Sequence, residues 1–303
     1  MSDVDDIENT QKILIYKQQK SKDMKLNNLL VTRILGLLSI SLFLCSPQVS
    51  CQTPVQCPAD CGLMWTFVQA EDALNANLTR IDLALDNSSL VLSRTGLSGS
   101  EAERILSELD LIDHAIIQSA TVGVDGVILD LAPGQYRNLI GSNISDQEPV
   151  KTLLASRQPT GFVVVMTGRG AYALEDAVPV FDENGKFKGA SLIILNSADF
   201  FSRVLEPFQP KEKAEFSVLQ AKNSIMLYFI DPRMTGLRLT DPIFRGYPDV
   251  GILAALLMQH GTGYTTYTYL NRAQTKTVDT GAFWTTLGNR GDEIRFALSI
   301  ELD

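Results

Sequence analysis

The sequence predicts an α+β fold in which a long N-terminal helix packs on two tandem five-stranded antiparallel sheets, each covered by helices. Three observations point there. A helical period of apolar residues runs from Leu63 to Leu92, an order of hairpin, helix and three-strand meander follows it, and that order recurs in the second half of the chain. With 303 residues, 45% of them hydrophobic, the chain is long enough for one large or two modest cores.

The first 51 residues stand apart. Met1 to Asn28 is polar, whereas Leu29 to Cys45 is apolar except for Thr32, Arg33 and small residues. Ile34 to Cys45 gives twelve residues without a charge, and a spanning helix needs about 20. A secretory signal is therefore expected, with Lys25 and Arg33 as its positive flank, SPQVSC as its small-residue exit, and Met1 or Met24 as its start. The remainder is expected to be exported, and either soluble or anchored at its N-terminus.

Export makes Cys57 and Cys61 a candidate disulfide in the linker 52–62, since CPADC has no second Cys or His pair to complete a metal site. Cys51 is a candidate lipidation site, although Gln48 stands where a lipobox has Leu. The sequons at Asn77, Asn87 and Asn143 are candidate glycosylation sites. The chain has a formal net charge of −9. Residues 1–51 hold six basic and five acidic side chains, so the remainder keeps 20 and 30, a surface that repels nucleic acid and anionic lipid.

The elements follow in order. Phe67, Leu74, Leu78, Ile81 and Leu85 recur at helical spacing, and after TGLSGS a second helix carries Ile105, Leu106, Leu109 and Ile112, opened by a Ser100/Glu103 capping box. These helices make up a stalk, residues 63–114. In the first module, 115–196, Ile116 to Val124 and Val127 to Leu131 flank the hairpin turn Asp125-Gly126. A short helix follows from about Ser145 to Ala155, with Ser145 and Glu148 as its capping box and Pro149 in its first turn. Three strands complete the module: Phe162 to Thr167, Tyr172 to Phe181 and Phe187 to Leu195. After a helix-prone connector, 197–213, the module 214–303 repeats the order. Strands flank AKNS, a helix covers DVGILAALLMQ, and runs from Gly263, Thr275 and Glu293 form a second meander.

This order, together with GSNISDQEPV, VPVFDENGKFKGASLIIL, DPRMTGLRLTDPIF, GTGYTTYTYL, TGAFWTTL and RFALSIEL, resembles the double Cache domain, the extracytoplasmic sensor module of many chemoreceptors and sensor kinases. The likeness covers about residues 63–303. It implies two stacked PAS-like sheets along the long helix, with a small-molecule pocket in the first, membrane-distal module. Where the amino-acid-binding branch of that family keeps an Arg, an aromatic, a Tyr and an acid, this chain has Gln147, Pro149 or Val150, Tyr172 and Asn196. Without the Arg and the acid it lacks the clamps for a carboxylate and an ammonium group.

The residues themselves nominate an overlapping set. A pocket needs a few polar groups on an apolar wall, and the candidates are Tyr136 and Arg137 after the hairpin, Gln147 and Lys151 at the helix, and Arg169 and Tyr172 at the next strand junction. Solvated surface is the plain reading for Arg137 and Lys151, a turn tip for Arg169, and ordinary core an equal reading for Tyr172. His114 and His260 stand without metal-ligand spacing, and no nucleophile elbow, Walker loop or dinucleotide fingerprint occurs, so neither enzyme activity nor a cofactor is expected. The expected function is an exported sensor domain that binds a small organic ligand and signals through a separate membrane receptor or kinase, with a homodimer through the long helix and no nucleic-acid partner. Competing expectations are a structural or adhesive envelope protein without ligand, and a soluble solute-scavenging protein.

Overall fold

The computed structural model describes residues 61–303, apart from 169, 211–212, 272, 289–290 and 303. The expected signal segment, the lipid site at Cys51 and the Cys57 half of the disulfide lie outside the described residues.

Helix α1 (Cys61–Thr95) is 35 residues long. Its buried positions Phe67, Ala70, Leu74, Leu78, Ile81, Leu85, Ser88 and Leu92 recur every three or four residues, which puts them in one stripe. Helix α2 (Ser100–Asp110) folds back with Ala102, Ile105, Leu106 and Leu109 buried. The expected Ser100/Glu103 box does not form. Gly99, at φ 93°, occupies the cap position, and its N–H donates to the Asp130 carboxylate at 3.0 Å. Glu103 is engaged instead by the Arg137 guanidinium.

The first sheet contains β1 (Ile116–Gly123), β2 (Ile128–Ala132), β3 (Val163–Met166), β4 (Tyr172–Phe181) and β5 (Phe187–Asn196), in the antiparallel order β2-β1-β5-β4-β3. Helix α3 (Glu148–Ser156) sits between β2 and β3 in sequence, and α4 (Ser197–Leu205) leaves β5. The second sheet has β6 (Ala214–Gln220), β7 (Met226–Phe229), β8 (Gly263–Leu270), β9 (Thr277–Leu287) and β10 (Ile294–Glu301), with α5 (Pro248–Gln259) preceding β8. Its order, β7-β6-β10-β9-β8, is that of the first sheet, so the recurrence read in the sequence is a repeat of topology. In the first hairpin Gly126 adopts φ +80°, as the Asp-Gly turn requires. Gly189 is also obligatory, because a Cβ there would lie 2.0 Å from the Val122 carbonyl oxygen on the neighbouring strand.

One apolar layer joins the modules. The first half of α1 lies over the second sheet, where Phe67 stacks on Phe296 of β10 at 4.8 Å between centroids and meets Phe216 of β6 at 6.5 Å. Its later turns lie over the first sheet, and Ser88 Oγ approaches Ser191 Oγ of β5 at 3.3 Å. Leu174, Val178, Ile193 and Leu195 from one sheet and Phe216, Val218, Phe296 and Leu298 from the other fall in a single buried cluster with the helix. Asp113, buried at the entry to β1, pins this layer. It accepts hydrogen bonds from Arg80 of α1 at 3.1 Å, from Arg203 of α4, and from the Ala115 N–H at 3.0 Å.

Leu85, fully buried in the stripe, tests how far the fold depends on it. Leu85→Ala is expected to lower unfolding stability by about 2–5 kcal/mol, as read by urea denaturation.

Candidate functional site

The face of the first sheet turned away from α1 is the candidate site. Strand alternation places Ala120 and Val122 of β1, Ala190, Leu192 and Ile194 of β5, and Ala173, Glu175 and Ala177 of β4 on this face. Val150 and Leu153 of α3 cover it, with Tyr136 and Leu139 from the 3-10 segment Gly134–Leu139. Alanines dominate the floor, so the wall above it is made by the helix and the loop.

GSNIS (141–145) straps the hairpin to this cover. Ile144 N–H donates to the Gly126 carbonyl at 2.8 Å, Asn143 Nδ2 donates to the Asp125 carbonyl at 3.1 Å, and Asn143 Oδ1 accepts from Ser145 N–H at 2.9 Å. A Cβ on Gly126 would stand 2.5 Å from that of Ser145, so the strap needs this glycine as well as its turn. The expected Ser145/Glu148 box is absent. Helix α3 starts at Glu148 behind Gln147, without a side-chain cap, and Pro149 in the first turn has no N–H to leave unsatisfied. Asn143 is the residue whose side chain organises the approach.

Glu175 is the unusual group. It is 2% exposed, flanked across the sheet by Ile194 on β5 and Val163 on β3, and one of its carboxylate oxygens has no hydrogen-bond partner among the described residues. Burial pushes its carboxyl up to about 7. Asp113 shows the contrast, since there two guanidinium groups and a backbone N–H meet a carboxylate of similar burial. Burying a carboxyl without a partner costs free energy that folding alone does not recover.

The structure separates most of the residues nominated from the sequence. Tyr136 packs half-buried in the cover of this face. Gln147 and Lys151 are exposed on α3, and Arg137 is exposed and paired with Glu103. Tyr172 lies on the opposite side of β4 from Glu175, against the α1 layer, where its ring is 3.3 Å from the position a Gly236 Cβ would take. It therefore faces the seam with the second module, because residues 172 and 175 differ by an odd number of positions on a strand of period two. Asn196 ends β5 and caps α4, accepting from Asp199 N–H at 3.2 Å. Arg169 lies outside the described residues. Asn77 and Asn143 use their side-chain amides in hydrogen bonds, Asn77 to the Ala73 carbonyl at 2.9 Å, while Asn87 is exposed.

Sequence reasoning passed over Glu175. A signal was present in YALEDAVPV, where two adjacent acids interrupt an apolar strand. If both faces of that strand are covered, alternation must bury one acid on each. In the turn after β4 Asp182 Oδ1 accepts from Asn184 and Lys186 N–H, and after β7 Asp231, held down at about 2 first by its hydrogen bond to the Arg233 side chain, also accepts from Gln274 Nε2 at 3.1 Å. Among the described residues no group of three or more His, Cys, Asp or Glu is arranged to hold a metal ion, and no helix is long and apolar enough to cross a membrane.

Residues 76–197 match the family model described as HK/GC/Chemotaxis protein-like, sensor domain. Among solved structures, an extracellular ligand binding receptor from Desulfohalobium retbaense superposes at a TM-score of 0.65 with 25% identity, over 80% of this chain and 41% of that one. The match thus covers about two fifths of that receptor's length. The ligand binding domain of the Pseudomonas aeruginosa PAO1 amino acid chemoreceptor PctB, in complex with L-Arg, superposes at 0.55 with 14% identity, covering 79% of this chain and 94% of that one. The periplasmic sensory domain of the Campylobacter jejuni chemoreceptor Tlp1 gives 0.55 with 11% identity, covering 77% and 92%. At those identities the last two likenesses concern the fold alone. No protein of curated function matches the chain in sequence.

The raised carboxyl fixes the sign of a pH effect. Glu175 binds its proton more tightly folded than unfolded, so its contribution is complete below the ordinary value of 4.5 and is lost as pH rises through about 7. Ligand-free protein is expected to lose about 3 kcal/mol of stability between pH 4.5 and 7.5 from this group. Glu175→Gln should flatten that part of the profile in urea denaturation.

Proposed function

We propose that this chain, which carries a double Cache sensor domain, is an exported sensor whose first module holds a small organic ligand against the Glu175 face of its sheet and reports occupancy to a membrane receptor or kinase. The buried, incompletely bonded carboxyl of Glu175 carries the reading. A ligand that brings a hydrogen-bond donor or a positive charge to it supplies the interaction the fold leaves out. The Desulfohalobium receptor and the PctB domain, both ligand-binding, support the same function class. Because Gln147 and Lys151 point to solvent and Asn196 is spent as a helix cap, recognition rests on Glu175, Tyr136 and backbone groups of the strap and α3.

The packed alanine floor also fits a protein without ligand. Glu175 favours the ligand-binding reading, since a purely structural layer gains nothing from burying an acid. A homodimer through α1 belongs to the same proposal. Trp65, Leu83 and Leu90 are 64%, 49% and 65% exposed and lie along one line of the helix. Trp65→Asp with Leu90→Asp is expected to convert a dimer to a monomer in analytical ultracentrifugation.

A thermal-shift screen of amines, amino acids, purines and organic acids tests the ligand. A true ligand at 100 times its Kd should add about 2.7 kcal/mol of stability, and Glu175→Gln should remove the shift. A screen with no shift at all, or a shift that survives the substitution unchanged, would overturn the assignment of the site.

A further inference from the structure

The second module carries a cleft of its own, on the face of its sheet turned away from α1. Together with the open solvent at its mouth the space measures about 510 Å³. Its floor is Leu219 of β6, Ala297 of β10 and Ala282 of β9. Its roof is Val250, Leu253 and Leu257 of α5, with Met234, Leu239 and Phe244 from the segment between β7 and α5. Arg295 holds the roof down. Fully buried, it donates from Nε to the Leu257 carbonyl at 2.9 Å, from one terminal nitrogen to Thr286 Oγ1 at 2.6 Å, and from the other to Glu293 at 2.5 Å. With its guanidinium engaged in this way, Arg295 is a brace and not a ligand for anions.

Polarity is confined to one end. There Glu215 and Ser299 face each other across β6 and β10, Ser217 lies one register step further in, and the Tyr267 hydroxyl is 3.1 Å from Ser299 Oγ. Burial and the nearby Glu215 charge both push the Tyr267 hydroxyl upward, so it stays a neutral donor and acceptor. The polar surface beyond this end adds Glu301, Thr280 and Lys213. An apolar body with a charged head is therefore met by apolar walls and by a head site lined by Glu215, Glu301 and Lys213, two acids against one base, a balance that disfavours an anion. The two methionines of the lining, Met226 and Met234, give walls that re-pack around guests of different length.

We infer that the second module binds a short apolar amine, with its hydrocarbon between α5 and the sheet and its ammonium group at Glu215, Ser217 and Ser299. This site is separate from Glu175 and holds whether or not the first module takes its own ligand.

The test titrates the full chain, labelled with 13C at its methionine methyls, with n-alkylamines from propyl to hexyl, and with n-alkanols and n-alkanoates of the same lengths. Saturable shifts of the Met226 and Met234 methyls are expected with the amines. Affinity should tighten about fourfold per methylene until the cleft is filled. Glu215→Gln should weaken the amines about tenfold and leave the alkanols unchanged, while Ala297→Leu, which fills the floor, should abolish the methyl shifts. Glu175→Gln should leave the titration as it was. Alkanoates or alkanols that bind as well as amines, shifts that persist in a folded Ala297→Leu variant, or no saturable shift at either methionine would each overturn the inference.

Discussion

The architecture depends on a stripe of eight buried positions along α1, from Phe67 to Leu92. Each sheet presents one apolar face to that stripe, and neither has another element long enough to cover it. Phe67 closes the second sheet through Phe296 and Phe216, and Leu85 and Leu92 close over the first module and α2. In a folded protein a helix draws most of its stability from the apolar face it buries, and for α1 that face is this stripe. The modules therefore share one core, to which the connector 197–213 adds Phe200, Phe201, Val204 and Leu205.

A second tie runs between the sheets themselves. Asp292, in the turn between β9 and β10, accepts hydrogen bonds from Val164 N–H of β3 at 2.9 Å and from Gln220 Nε2 at 2.7 Å, and its own N–H donates to the Phe162 carbonyl at 2.8 Å. Gly291 is required there, since a Cβ would stand 2.3 Å from the Phe162 carbonyl oxygen. The strand tied in this way, β3, is the one that sets Val163 beside Glu175. Tyr172 touches the second module from the next strand. Glu175 thus lies one strand away from the seam.

Much of this was legible in the sequence because it depends on periodicity and turn chemistry. The helical period of α1, the Asp-Gly hairpin, the α3 and α5 runs and the meanders of both halves all appear where local pattern places them. What failed was local in appearance but decided by tertiary contacts. Ser100 and Ser145 have the spacing of caps, yet Asp130 takes the Gly99 N–H and Asn143 organises the approach to α3. Asp130 comes from β2, where no sequence window around α2 finds it, whereas Asn143 lies two residues before Ser145 and was read from the sequence only as a sequon. Tyr172 was nominated by residue type, and the parity of its strand turned it to the seam. Glu175 was missed for the converse reason, as its significance comes from burial on both sides of β4, a property of the assembled layers.

The two modules show what a repeated topology leaves free. The same strand order puts an isolated acid under α3 in the first and an acid beside hydroxyls at the end of an apolar cleft in the second. In the first, the carboxyl is enclosed and raised to about 7, so near neutral pH its charge is governed by what lies against it. A donor or cation there stabilises the ionised form and the folded state together. In the second, Arg295 is enclosed with three hydrogen-bond partners. Burial thus leaves one charged group short of partners and gives the other a full set, although both sheets have the same strand order.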